Sequence, residues 1–164
     1  MYNQVKIYDK HVAFWGSILS NFYPCKIEAY DEVWKSSEQC FMAQKALFFE
    51  DQETYEEILD AKTPEEAKKL GRQVKNYNDE EWSEVREEIM YTINYEKYAQ
   101  NKDLRDFLLS EKFKNKKFVE GSPFDEVWGV KIDYRNESID DENNWKGTNL
   151  LGKVLDRVRF NLTH

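Results

Sequence analysis

Glu38 and Lys45 lie seven positions apart in the run from Glu38 to Phe49, which is rich in good helix formers and follows two serines. At 100° per residue this separation comes to roughly 700°, so both side chains leave the same side of one helix, about 10 Å apart along its axis. A ligand fits between them. Phe41 and Met42 occupy the intervening turns, so the two charges flank an apolar floor and miss the i, i+4 spacing of a simple ion pair. A carboxylate and a lysine over apolar ground are suited to proton transfer and nucleophilic attack. The same spacing also describes the solvated side of an ordinary amphipathic helix.

Two further clusters carry chemistry. In Ser122-Pro123-Phe124-Asp125, a turn presents Asp125 close to Trp128 and to Gly129, a glycine that lets a ligand approach the backbone. The alternative is an Asp that hydrogen-bonds only its own backbone in an Asx-turn. The stretch from Trp145 to Gly152 opens the last helix around Asn149, and amides at a helix start can hold a phosphate or a ribose hydroxyl; a plain helix cap is the alternative. Arg72 follows Gly71 at a helix end, and Trp15, Tyr23 and Trp82 supply flat surfaces on which a base can stack.

The elements that must position these groups are legible from periodicity. Val5, Ile7, Val12 and Phe14 mark two short strands, and Cys25 to Trp34 reads as a small hairpin around Tyr30-Asp31-Glu32. Ser36 or Ser37 caps the helix that carries Glu38. Further helices are expected from Gln52 to Asp60, from Thr63-Pro64 to a C-capping Gly71, from Asp79 to Tyr98, from Lys102 to Leu109 and from about Asn149 to Asn161. Lys117 to Glu120 reads as a strand, Val127 to Ile132 as another extended segment, and Asn136 to Asn144 as a surface loop. Strands at both ends of a helical middle make an α+β fold, expected as a single domain over 1–164 with several helices around a small strand core.

Composition excludes several classes. The net charge of −8 disfavours broad adhesion to DNA, although a basic pocket around Lys68, Lys69 and Arg72 leaves room for a local phosphate site. Two histidines, His11 and His164, and two widely spaced cysteines, Cys25 and Cys40, give no metal-ligand spacing, so neither metal nor cofactor is expected and the thiols should stay reduced. There is no signal-like segment and no stretch near the roughly 20 apolar residues of a membrane span, which points to the cytoplasm and to no membrane partner.

Taken in order, the blocks match a known pattern: Phe14-Trp15, Leu19 to Pro24, Trp34 to Gln39, Gln44 to Phe48, Thr63-Pro64 through Lys68, Leu70 to Val74, Trp82 through Arg86 and Met90, Lys97 to Asn101, Val119 to Asp125, Trp128-Gly129, and Trp145 to Gly152. The chain resembles the YbiA-like family, also called NADAR, across nearly its whole length. Departures are Lys35 where many members have proline, Gln39 and Met42 where many have histidine and glutamine, and Lys131 in place of a frequent glycine.

The resemblance implies a compact α+β fold and N-glycosidase activity on ribosyl C–N bonds. The implied substrates are phosphorylated ribosylaminopyrimidine intermediates of riboflavin biosynthesis, or ADP-ribosylated guanine in nucleic acid. For the second class it implies a lysine that forms a Schiff base with the opened ribose, which falls on Lys45. Together with the residue chemistry above, it makes Glu38, Lys45 and Asp125 the candidate catalytic residues, and Trp15, Ser20, Asn21, Phe22, Gln44, Arg72, Trp82, Trp128, Gly129 and Asn149 the candidate substrate-binding ones. A non-catalytic NAD or ADP-ribose binding module using the same pocket is the alternative, and a monomer or small homo-oligomer is expected.

Overall fold

The computed structural model describes residues 4–164 and confirms the α+β class. The chain divides into two compact units, one from Asn21 to Asn101, the other from the segment ending at Ser20 together with Lys102–His164.

In the 21–101 unit, β3 (Ile27–Ala29) and β4 (Glu32–Trp34) form the expected hairpin, turning through Tyr30 and Asp31, both in the left-handed region (φ 52° and 63°). Two such residues make the kind of two-residue turn whose twist suits a hairpin. Helix α1 (Ser37–Phe48) begins where the Ser36 hydroxyl accepts the Gln39 N–H at 3.1 Å. Helices α2 (Gln52–Leu59), α3 (Pro64–Gly71) and α4 (Asp79–Gln100) follow, capped by Asp51, Thr63 and Asn78 through side-chain oxygens. All three pack against α1, so α1 is buried on almost every side. The end of α4 is tied to β3 by the Gln100 carboxamide, which accepts from Glu28 N–H at 2.8 Å and donates to Glu28 C=O at 2.7 Å.

In the other unit, β1 (Val5–Ile7) runs antiparallel to β2 (His11–Phe14), and β5 (Lys117–Glu120) lies parallel on the far side of β2, with Val12 opposite Phe118. Helix α5 (Lys102–Leu108) precedes β5, and α6 (Leu150–Thr163) packs on it. Arg159 of α6 lies 4.4 Å from the Phe118 ring centre and donates to the carbonyls of Phe113 and Lys116, while Asp156 accepts the Phe118 N–H at 2.9 Å.

Three expectations are corrected. Val127 to Ile132 is not a strand: the Val127, Trp128 and Gly129 carbonyls accept the N–H groups of Leu150, Leu151 and Asn149, so this segment bends across the start of α6 and has no ladder to join. Gly71 is not a left-handed C-cap: it is the last residue of α3, and a Cβ there would lie 2.0 Å from Met42 Sδ, so the glycine serves the close approach of α3 to α1. The 136–144 loop is folded into two 3₁₀ turns, Glu137–Asp140 and Glu142–Asn144, because Ile139 is drawn fully into the core.

Among the described residues no helix is long and apolar enough to cross a membrane, and no cluster of three metal-ligating side chains occurs. Cys25 and Cys40 are free thiols, and burial pushes the Cys40 thiol far above its usual range.

Candidate active site

Glu38 is not on a solvated face. It sits in the first turn of α1 with 7% of its surface exposed, because α2, α3 and α4 enclose the helix. Its N–H donates to the Asn21 carbonyl at 3.0 Å, which joins the Asn21 to Pro24 segment to the start of α1. Asn21 is also held from α4, where the Asn94 carboxamide, wholly buried, donates to Asn21 Oδ1 at 3.3 Å and to the Met90 carbonyl at 3.1 Å.

Lys45, two turns further along, is half-buried. Its ammonium donates to the Gly71 carbonyl at 2.9 Å and lies 4.5 Å from the centre of the Tyr77 ring, so it caps the end of α3 and rests on an aromatic face. Burial lowers its pKa below the ordinary lysine value; Glu38 pulls it back up and Arg72 pushes it down. The pull of Glu38 on Lys45 puts the carboxylate and the amine in one electrostatic neighbourhood. The result is an amine easier to deprotonate than a surface lysine, on the same helix as a buried carboxylate.

The surroundings sort the other expected residues. Gln44 is buried, one turn along α1 from Cys40, and its carboxamide acts on the Cys40 thiol, partly offsetting the upward push of burial. Phe22 is half-buried with Lys68 5.5 Å from its ring centre. Arg72 is exposed at the end of α3. Trp82 is a core ring and not an open stacking plane: it is 4% exposed, with Phe41, Phe48 and Phe49 centred 5.2, 5.7 and 6.1 Å away. The open aromatic surfaces of this unit include Phe48 and Tyr77.

In the other unit, Asp125 Oδ1 accepts the N–H groups of both Val127 and Trp128 at 2.8 Å, the Asx-turn that the sequence allowed. Trp15 packs edge-on to the exposed Phe124 at 5.9 Å, and Trp128 is half-buried. Ser20 is buried, its N–H given to the Ser17 carbonyl. What comes close to Gly129 is the chain itself, since a Cβ there would meet the Glu120 carbonyl at 2.9 Å. Asn149 spends its side chain on β5, accepting from Glu120 N–H at 3.0 Å and donating to the Phe118 carbonyl at 3.0 Å. The N–H groups of Asn149, Leu150 and Leu151 are taken by the 127–129 carbonyls, so the start of α6 is occupied as a helix cap. Lys131, in place of the family's frequent glycine, adopts a left-handed backbone (φ 56°), the conformation that favours glycine there. Its side chain lines a shallow polar pocket of about 370 Å³ with Asp133, Asn136, Ser138, Asn144 and Lys146.

Sequence reasoning missed Tyr77, Arg86 and Asn94. Asn94 had a signal: it lies between Met90, Ile93 and Lys97 on the buried stripe of α4, where a polar side chain needs a partner. Tyr77 had none, because its position depends on the left-handed turn at Asn76 (φ 65°).

The model of the NADAR domain matches residues 10–163. Protein irg-1 of Caenorhabditis elegans is 37% identical over 161 residues, covering 88% of this chain and 75% of that protein. N-glycosidase R617 of Acanthamoeba polyphaga mimivirus is 36% identical over 164 residues, covering 92% and 95%. Riboflavin biosynthesis protein VVA0006 of Vibrio vulnificus is 34% identical over 144 residues, which are 88% of this chain and 35% of that longer protein. The NMR structure of the E. coli protein YbiA superposes with a TM-score of 0.75 at 29% identity, covering 96% of this chain and 88% of that one.

Proposed function

Because the chain belongs to the NADAR domain family, we propose that it is an N-glycosidase that hydrolyses a ribosyl C–N bond, with Glu38 and Lys45 as its central pair. The observation that carries this reading is the Lys45 amine, lowered in pKa by burial and electrostatically coupled to Glu38 on one helix. Departure of a base from ribose builds positive charge at C1′, and a buried carboxylate stabilises that charge and moves the proton the leaving nitrogen needs. The ring opens as the C1′–O4′ bond breaks, O4′ takes a proton and the base nitrogen's lone pair forms a C1′=N bond. Neutral Lys45 then adds to C1′, returning that pair to nitrogen. The C1′–N bond to the base breaks with its electron pair going to the base nitrogen, which takes up the proton that the lysine nitrogen loses. Water then adds to C1′ of the Schiff base and releases both sugar and amine.

The substrate belongs to one of two classes, a phosphorylated ribosylaminopyrimidine intermediate of riboflavin biosynthesis or ADP-ribosylated guanine. The name of the Vibrio vulnificus relative supports the first, and a net charge of −8 also favours a small metabolite over long nucleic acid. For Asp125 the proposed role is to hold ribose hydroxyls or assist proton transfer.

The test is a panel of ribosylaminopyrimidine phosphates and ADP-ribosylated guanine substrates, scored for free base and sugar, with borohydride trapping. Turnover of one class, and an adduct that Lys45→Ala abolishes, is the expected outcome. No turnover of either class sinks the proposal, and an adduct unchanged in Lys45→Ala removes the lysine from its role.

A further inference from the structure

Arg86 is a largely buried cation that lacks a matching acceptor. Its side chain is 18% exposed, and its Nε–H is buried with no hydrogen-bond partner among the described residues. The ion-paired carboxylate, Asp79, is 3.8 Å from Nη1, beyond hydrogen-bond length; it is mostly exposed and already accepts the Tyr77 hydroxyl at 2.7 Å. A guanidinium carries five donors in a fixed fork, and leaving its inner donor dry and unpaired is costly unless something else binds there.

Its position says what. Trp82, Arg86 and Met90 follow one another at four-residue steps along α4, and Trp82 packs against Phe41 and Phe48 of α1. Arg86 therefore leaves α4 on the side that faces α1, the helix of Glu38 and Lys45. Tyr77 connects the two: its ring lies under the Lys45 ammonium, and its hydroxyl feels the charge of Arg86. Arg72 acts on Lys45 from the end of α3. Lys45 spends its own ammonium on a backbone carbonyl and not on a carboxylate. In a chain of net charge −8, two cations, Lys45 and Arg86, thus act on one tyrosine, and a third, Arg72, acts on Lys45.

We propose that Arg86, with Arg72, forms the subsite for the phosphate carried one ribose ring away from the carbon that Lys45 attacks, either a 5′-phosphate monoester or the first phosphate of a pyrophosphate. This rests on the N-glycosidase reading and adds its anion anchor. The planar fork of Arg86 suits the paired oxygens of a phosphate, and an anion there satisfies the unpaired donor.

The test compares kcat/KM for ribosylaminopyrimidine 5′-phosphate, its dephosphorylated nucleoside and an ADP-ribosylated guanine substrate in wild type, Arg86→Lys and Arg86→Met. A lost charge-assisted contact predicts that Arg86→Met loses roughly ten- to a hundredfold on a phosphorylated substrate and little on the nucleoside, with Arg86→Lys between. The phosphorylated substrate that loses more identifies the monoester or the pyrophosphate as the source. An equal loss on phosphorylated and dephosphorylated substrates assigns Arg86 to packing and overturns the subsite, as does no loss on either. If wild type turns over none of them, the N-glycosidase reading fails by itself. Calorimetric titration with inorganic pyrophosphate then decides the subsite: binding to wild type that Arg86→Met abolishes sustains it, and equal or no binding to both overturns it.

Discussion

Gly71→Ala tests whether the approach of α3 to α1 both stabilises the fold and holds Lys45, the proposed nucleophile. A Cβ at position 71 would lie 2.0 Å from Met42 Sδ, 2.9 Å from its Cγ and 3.3 Å from its Cβ. Moving the thioether alone does not clear the last two atoms, so the helices must part by several tenths of an ångström. Overpacking of this kind costs about 1–3 kcal/mol. The gain in helix propensity from Gly to Ala returns up to about 1 kcal/mol, since the backbone at 71 is not left-handed. The expected net loss is about 1–2 kcal/mol, which for a chain of this size is a fall in Tm of roughly 2–8 °C. Because the displaced carbonyl is the acceptor for Lys45 Nζ, borohydride trapping should fall as well. The decisive measurement is a cycle with Met42→Ala, using denaturant unfolding. Met42→Ala alone opens a cavity at a cost of about 2–5 kcal/mol, and in that background Gly71→Ala should change sign and stabilise. If Gly71→Ala is stabilising in wild type, or equally destabilising in both backgrounds, the close-approach argument is refuted.

Other perturbations separate roles in the same way. Lys45→Met should retain the fold while abolishing both turnover and the trapped adduct; retained turnover would contradict the nucleophile. Asp125→Asn keeps an acceptor for the Val127 and Trp128 N–H groups, whereas Asp125→Ala loses both bonds at a cost of about 1–3 kcal/mol; activity lost in a stably folded Asp125→Asn would show a chemical role beyond the turn. Lys97 is wholly buried, and burial lowers its pKa to about 8, against 10.5 when unfolded. The unfolded chain therefore binds the extra proton between these values, so this lysine makes stability rise with pH from about 8 to 10.5, by up to about 1.4 kcal/mol per unit, and the contribution is lost as pH falls through 8. Unfolding of wild type and Lys97→Met across this range should show stability rising more steeply with pH in wild type, and parallel profiles would reject it. Lys131→Gly should relieve the left-handed backbone and stabilise by about 1 kcal/mol, read as a higher denaturant midpoint.

Much of the architecture was legible because it is written locally. The caps Ser36, Thr63 with Pro64, and Asn78 sit directly before their helices, and a side chain that satisfies its own neighbours needs no tertiary knowledge to be read. The Tyr30-Asp31 turn and the alternation of β1 and β2 are equally local. The Val127 to Ile132 segment misled for the opposite reason. Its apolar alternation matches a strand, but its carbonyls serve a helix that begins twenty residues later, and no local pattern reports that destination.

The sequence by itself determined the α+β class, the helix that carries Glu38 and Lys45, and, through ordered blocks, the NADAR family. It left open whether that helix face is wet or dry. Only the tertiary structure decided this, because burial is a property of what packs around a residue: α2, α3 and α4 enclose α1, bury Glu38, and depress the pKa of Lys45 against Tyr77 and the Gly71 carbonyl. Tertiary contacts also assigned Trp82 to an aromatic core and Asn149 to a clamp on β5, while leaving the inner donor of the Arg86 guanidinium without a partner among the described residues. A carboxylate and a lysine seven residues apart are common; enclosure by three helices is what buries this pair.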